Sequence, residues 1–198
     1  SQGKKLLPST FDNATKLLQI NEQKYIGVVT YGLGAIGQQE PRTAHSFLPE
    51  LDQALPTERM SVKDFTDELS EFFLSHWKAT MPEDWQGPDI TFLVGGYDKN
   101  EVYGRVFQIN IPSHPEPIEW NAGAQFGVTW GGQLEYINRL VKGFDPKLPS
   151  VVQEYLELNE EQTKKLEHHL ERELSSRIPY QFLPLQDCVD LSVFLIRT

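Results

Sequence analysis

Hydrophobic side chains recur along this chain with two periods, and the switches between them predict its elements. Residues 16–20 (Lys-Leu-Leu-Gln-Ile) and 24–31 (Lys-Tyr-Ile-Gly-Val-Val-Thr-Tyr) are rich in aliphatic, aromatic and β-branched residues, with Asn21-Glu22-Gln23 between them. They predict an antiparallel hairpin. A helix is expected over 43–55, bent or split at Pro49. The clearest helix spans 62–78, where Ser61 and Asp64 have capping-box spacing. Val62, Phe65, Leu69, Phe72, Phe73 and Trp77 form one stripe at spacings of three and four, the mark of a helix pressed onto a sheet. Ile90–Gly95 and Val102–Ile111, joined by a turn at Asp98-Lys99-Asn100, predict a second hairpin that Pro112, Pro115 and Pro117 end.

Residues 124–130 predict a further strand, and Leu134, Ile137, Leu140 and Val141 a helix after it. Beyond Pro146 and Pro149 two helical patterns follow, the second opened by Asn159 with Gln162 three residues on. Residues 145–177 read as a polar helical insertion, exposed or facing another subunit, within one domain covering 1–198. An apolar helix, Leu185–Ile196, closes the chain. Paired strands, helices and paired strands again are the order of an α+β layered fold, not of alternating βαβ units.

The charge balance narrows the partners. With 28 acidic and 18 basic residues the formal net charge is −10. Nucleic-acid binding rests on Lys and Arg neutralising phosphates, so it is not expected, nor is docking on anionic membranes. Solubility accounts for the acidity. No stretch approaches the roughly 18 apolar residues of a membrane span, and no charged-then-apolar leader pattern opens the sequence. A reducing cytoplasm is the expected compartment. Cys188 is the single cysteine; its apolar neighbours Leu185, Val189 and Leu191 predict a small buried thiol. The five histidines lack ligand spacing, and adjacent His168 and His169 cannot face one metal from one helix side. No metal or other cofactor is expected.

Gly32-Leu33-Gly34-Ala35-Ile36-Gly37 matches G-x-G-x-x-G after a predicted strand. In a dinucleotide site a helix begins within that motif and turns its N–H groups to the pyrophosphate. Here Gln38-Gln39-Glu40-Pro41 follows, and Pro41 restricts Glu40 to extended or turn geometry. A tight glycine turn is the plainer reading; a nucleotide-binding enzyme ranks third among the functions considered.

The order of several short runs is similar to the proteasome-type N-terminal-nucleophile hydrolases, the bacterial proteasome-like proteins most of all. They are Lys16-Leu17-Leu18-Gln19-Ile20, Gly27-Val28-Val29-Thr30-Tyr31-Gly32-Leu33, the 61–77 helix, Phe92–Asp98 with its glycines, Gly104-Arg105-Val106-Phe107, Gly131-Gly132 and Asp187–Leu191. The resemblance covers most of the chain outside about 145–180. It implies a four-layer α-β-β-α sandwich of two antiparallel sheets, ring or stacked-ring homo-oligomers, and hydrolysis of peptide or protein substrates. It implies an N-terminal Thr whose hydroxyl attacks a carbonyl while its α-amine serves as base. Lys16 matches the lysine that favours the deprotonated amine or alkoxide. Gly32 matches the glycine whose N–H donates to the oxyanion. A strand-end lysine reaching solvent and a turn glycine are the bland alternatives.

Three departures weigh against activity. Ser1 stands only fifteen residues before Lys16, too close to be the family's nucleophile, and the family's first hairpin and last strand are not apparent. Trp130 falls about where active members carry a serine, and an indole there could close the site. A catalytically inactive ring-forming or binding protein of the same fold is therefore the alternative to a threonine-type peptidase or amidase.

Overall fold

A computed structural model of the chain describes residues 15–120, 126–132 and 134–197. They fall into two compact units, Ser1–Gln125 and Phe126–Thr198. The first holds the sheet. β1 (Leu17–Leu18) and β2 (Ile26–Gly32) form the expected hairpin, with Leu18 opposite Val28. The expected helix over 43–55 is divided: a 3₁₀ turn (Ala44–Phe47) leads into α1 (Leu48–Ala54). Pro49 sits in the first turn of α1, where its missing N–H loses no helical bond. α2 (Val62–Thr80) follows, then β3 (Ile90–Tyr97), β4 (Gly104–Ile111) and β5 (His114–Glu119). All neighbours are antiparallel in the order β1-β2-β3-β4-β5.

The chain is thus an α+β protein with an antiparallel sheet. Among the described residues this five-strand sheet is the single sheet, so the second sheet of the expected sandwich is not seen. Two expectations need correction. The prolines after β4 do not end the ladder. Trp120 N–H bonds the Val106 carbonyl, so by alternation Pro117 occupies a position whose N–H would face away from β4, while Pro115 lies where the register shifts between Gln108 and Asn110. An outer strand tolerates proline there. Of the strand expected at 124–130, residues 126–130 have no strand structure, and 124–125 lie outside the described residues. An apolar run without a neighbouring ladder has nothing to hold it extended.

Strand alternation gives the sheet two unlike faces. One carries Leu18, Val28, Ile90, Phe92, Val94, Phe107, Ile109 and Ile111, all buried. α2 packs on it with the expected stripe, burying Val62, Phe65, Leu69, Phe73 and Trp77 and leaving Phe72 partly covered. Each such burial stabilises by about 1.5–3 kcal/mol. Phe73 lies over Phe92 with ring centroids 4.5 Å apart and meets Phe47 edge-on at 5.6 Å. At the start of α2 the Ser61 hydroxyl accepts the Asp64 N–H at 3.1 Å.

Two polar fasteners lock this unit. Gln23, 1% exposed, donates to the carbonyls of Pro56 (3.0 Å) and Glu58 (3.1 Å) and accepts the Met60 N–H (2.9 Å). Asp98 accepts the Val62 N–H at 2.7 Å, placing a carboxylate at the positive end of α2. Arg105 donates to Asp98 and forks onto both Glu119 oxygens at 2.8 and 2.9 Å. That fork holds the Glu119 carboxyl below its ordinary range.

The second unit is helical: α3 (Leu134–Val141), α4 (Leu148–Leu156), α5 (Glu160–Leu174) and α6 (Leu185–Arg197). α5 opens on a complete capping box between Asn159 and Gln162, and none of its residues is buried. α6 is apolar as expected, yet Leu195 is its one buried residue among those described. Cys188 is therefore exposed rather than buried, a correction that follows from α6 lacking cover on that side.

Replacing Gln23 by Ala removes three hydrogen bonds from a buried side chain to part-buried backbone groups and should cost about 1–3 kcal/mol in urea unfolding. The depressed Glu119 carboxyl contributes stability above the unfolded carboxylate range. That contribution is lost as pH falls through the lower folded value, so Glu119→Gln should flatten the stability profile below about pH 4.

Candidate functional site

One end of the sheet gathers the start of β1, the end of β2, the start of β3, the end of β4 and the start of β5. Lys16 and Gly32 both lie there. The Lys16 carbonyl accepts the Thr30 N–H at 2.8 Å, which sets Lys16 beside β2 two residues short of Gly32. Lys16 is exposed and forms no ion pair with a described residue. The ladder fixes the direction of the Gly32 amide. Thr30 N–H points to β1, and Leu33 N–H points across to the Asp89 carbonyl at 2.8 Å. By alternation the Gly32 N–H points to the β1 side, the side on which Lys16 stands.

Any side chain at Gly32 would be strained. Its φ is +84°, and an added Cβ would lie 2.3 Å from the Asp89 carbonyl oxygen. The backbone turns out of the ladder here, and only glycine turns this way without strain.

The motif that begins at Gly32 holds no helix start. Ile36 and Arg42 bridge one another instead, and Gly37 (φ +108°) makes the tight turn between them. The next helical residues begin at Ala44, and β3 returns antiparallel to β2. The helix N-terminus that a dinucleotide pyrophosphate needs is not formed by these glycines.

At the same sheet end Ser113 donates its hydroxyl to Asp89, with His114 Nδ1 3.0 Å from the same oxygen. The serine proton is committed to the carboxylate, so the imidazole is not placed as its base.

Sequence reasoning missed the polar row that runs from this end across the sheet face opposite α2. Tyr31 is hydrogen-bonded to Thr91, and burial pushes its phenol above the ordinary value. Thr91 donates to Asn110 Oδ1 at 2.9 Å, Gln108 donates to the same oxygen at 3.0 Å, and Trp120 donates to Gln108 at 3.0 Å. The period-two placement of Tyr31, Thr91, Gln108 and Asn110 carried the signal; the strand register was needed to join them. Trp130 belongs to the second unit, half-buried in an irregular segment. Ser1 lies outside the described residues. Among the described residues no group of three or more His, Cys, Asp or Glu is placed to hold a metal ion, and no helix is long and apolar enough to cross a membrane.

Gly32→Ala should cost about 1–3 kcal/mol in chemical unfolding, through the left-handed φ and the Asp89 collision together. Comparison of the chain with protein-family models and with curated proteins finds no match.

Proposed function

We propose that this chain supplies the lysine and oxyanion-donor side of a proteasome-type N-terminal-nucleophile hydrolase site, acting on peptide bonds within a homo-oligomer. The observation that carries this reading is the aim of the Gly32 amide toward the β1 side, at the sheet end where Lys16 stands. A terminal hydroxyl attacking a carbonyl there would pass its proton to its own α-amine. Lys16 would favour the neutral amine, and the Gly32 N–H would meet the charge that develops on the carbonyl oxygen. The amine leaving group takes the proton, and water then cleaves the ester to return the hydroxyl. The residue bearing that hydroxyl is not among those described, and the reading requires a Thr, Ser or Cys at the mature N-terminus.

The sheet face opposite α2 supports the finer architecture, a second antiparallel sheet stacked on the first. Register aligns Leu17, Val29, Leu93, Gln108 and Ile118 in one row across it; Leu17 (66%), Val29 (41%) and Ile118 (52%) are exposed, while Leu93 in the middle is buried. Beside that row Gly27 pairs with Gly95, and a Cβ on either would meet nothing within 4 Å. Glycine inside a strand weakens it, and no described residue comes close enough to demand it at these two places. A closely approaching second layer does.

The test joins N-terminal sequencing of the native protein to kinetics on fluorogenic peptides. The expected result is a terminal Thr, Ser or Cys and hydrolysis that falls on the order of 10²-fold or more in Lys16→Ala with the assembly intact. Unchanged turnover in Lys16→Ala would remove that lysine from the site, and a terminus of any other residue with no hydrolysis of these peptides would remove the enzyme claim. The non-catalytic ring-forming protein would then be the better reading.

A further inference from the structure

The opposite end of the sheet carries a charge that the fold holds in place and that no described carboxylate neutralises. Arg59 lies 4.9 Å from the centroid of the Tyr25 ring and donates through Nη2 to the Tyr97 carbonyl. Its other donors have no acceptor among the described residues, and it forms no ion pair with one. Arg177 and Arg197 also form no ion pair with a described residue, but neither is laid over an aromatic ring among them, as Arg59 is. Arg42, Arg105, Arg139 and Arg172 each hold a carboxylate: Glu50, Glu119 with Asp98, Asp145 and Glu173.

The geometry around Arg59 is built. Gln23 fixes the loop on both sides of it, through Glu58 O and Met60 N. The ring beneath it belongs to a residue with φ +68°, a conformation that a bulky side chain adopts only where its surroundings impose it. The Tyr25 carbonyl in turn accepts the Tyr97 N–H at 3.1 Å, which ties the platform to β3. Tyr25 and Tyr97 are 71% and 50% exposed. A fork of charged donors laid over an aromatic ring matches a planar carboxylate beside an apolar or aromatic neighbour. Pre-organisation removes the ordering cost that a free arginine would meet on binding.

We propose that Arg59, laid over the Tyr25 ring and anchored on the Tyr97 carbonyl, forms a receptor for an acidic side chain presented by a partner polypeptide. The site lies at the far end of the strands from Lys16 and Gly32 and stands independently of the hydrolase reading.

The test is selection of phage-displayed random heptapeptides on the whole chain. Fusion to the coat protein leaves these peptides no free C-terminal carboxylate. Enrichment of Asp or Glu beside an apolar or aromatic residue is expected. The selected peptide should bind about tenfold or more weakly to Arg59→Gln, with a smaller loss for Arg59→Lys, which keeps the charge but not the fork. Exchanging the peptide's Glu for Gln should cost the unaltered protein a similar factor, a comparison that needs no variant to fold. No acidic enrichment over the input library would overturn the proposal. So would equal binding by Arg59→Gln, or by the Gln peptide.

Discussion

A meander of antiparallel strands has one face to hide before anything else about it can matter, and here a single helix hides it. The α2 stripe from Val62 to Trp77 lies over Val94, Phe92, Phe107 and Ile109, and each of these residues is nearly or fully buried. Because strand side chains alternate with period two, that contact fixes the register of every strand. A slip of one residue would send Val28, Phe92 and Ile109 to the face opposite α2. The aim of the Gly32 amide and the alignment of Tyr31, Thr91 and Asn110 are consequences of the same register.

The polar fasteners work at the margins of that contact, where packing alone would leave the chain free to move. Asp98 joins the turn after β3 to the first N–H of α2, and Arg105 carries the connection on to β5 through Glu119. Ser70 donates to the Pro115 carbonyl at 2.6 Å, tying the middle of the helix to the outer strand. Gln23 does the same for the loop that enters α2. Side chains from the helix, the turns and both ends of the sheet are thereby bound into one cooperative piece.

Much of this unit could be read from the chain. The 62–78 stripe, both hairpins and the break at Pro49 rest on local periodicity and on proline stereochemistry, and they are found where those rules put them. What escaped depends on neighbours distant in sequence. Pro117 looks like a terminator until β4 shows that its missing N–H faces outward. Cys188 looks buried because its neighbours are apolar, but an apolar helix is buried only if something covers it. Lys16 and Gly32 could be picked out as residue types; that they share a sheet end with the Gly32 amide turned toward β1 required the ladder. The Tyr31–Thr91–Asn110 row and the Arg59 platform carry no contiguous motif at all, since each is assembled from separate elements.

Pro117 of β5 reaches further than the hairpin it helps complete. An outer strand normally offers a run of vacant backbone donors and acceptors, a template on which another chain can crystallise into a fibre. Proline at 117 removes a donor from that rim, and β1 at the opposite rim is only two residues long. Growth by adding strands sideways is thus blunted at both borders. Association is steered onto the broad surfaces and the strand tips, which can saturate and close where an open border would keep extending.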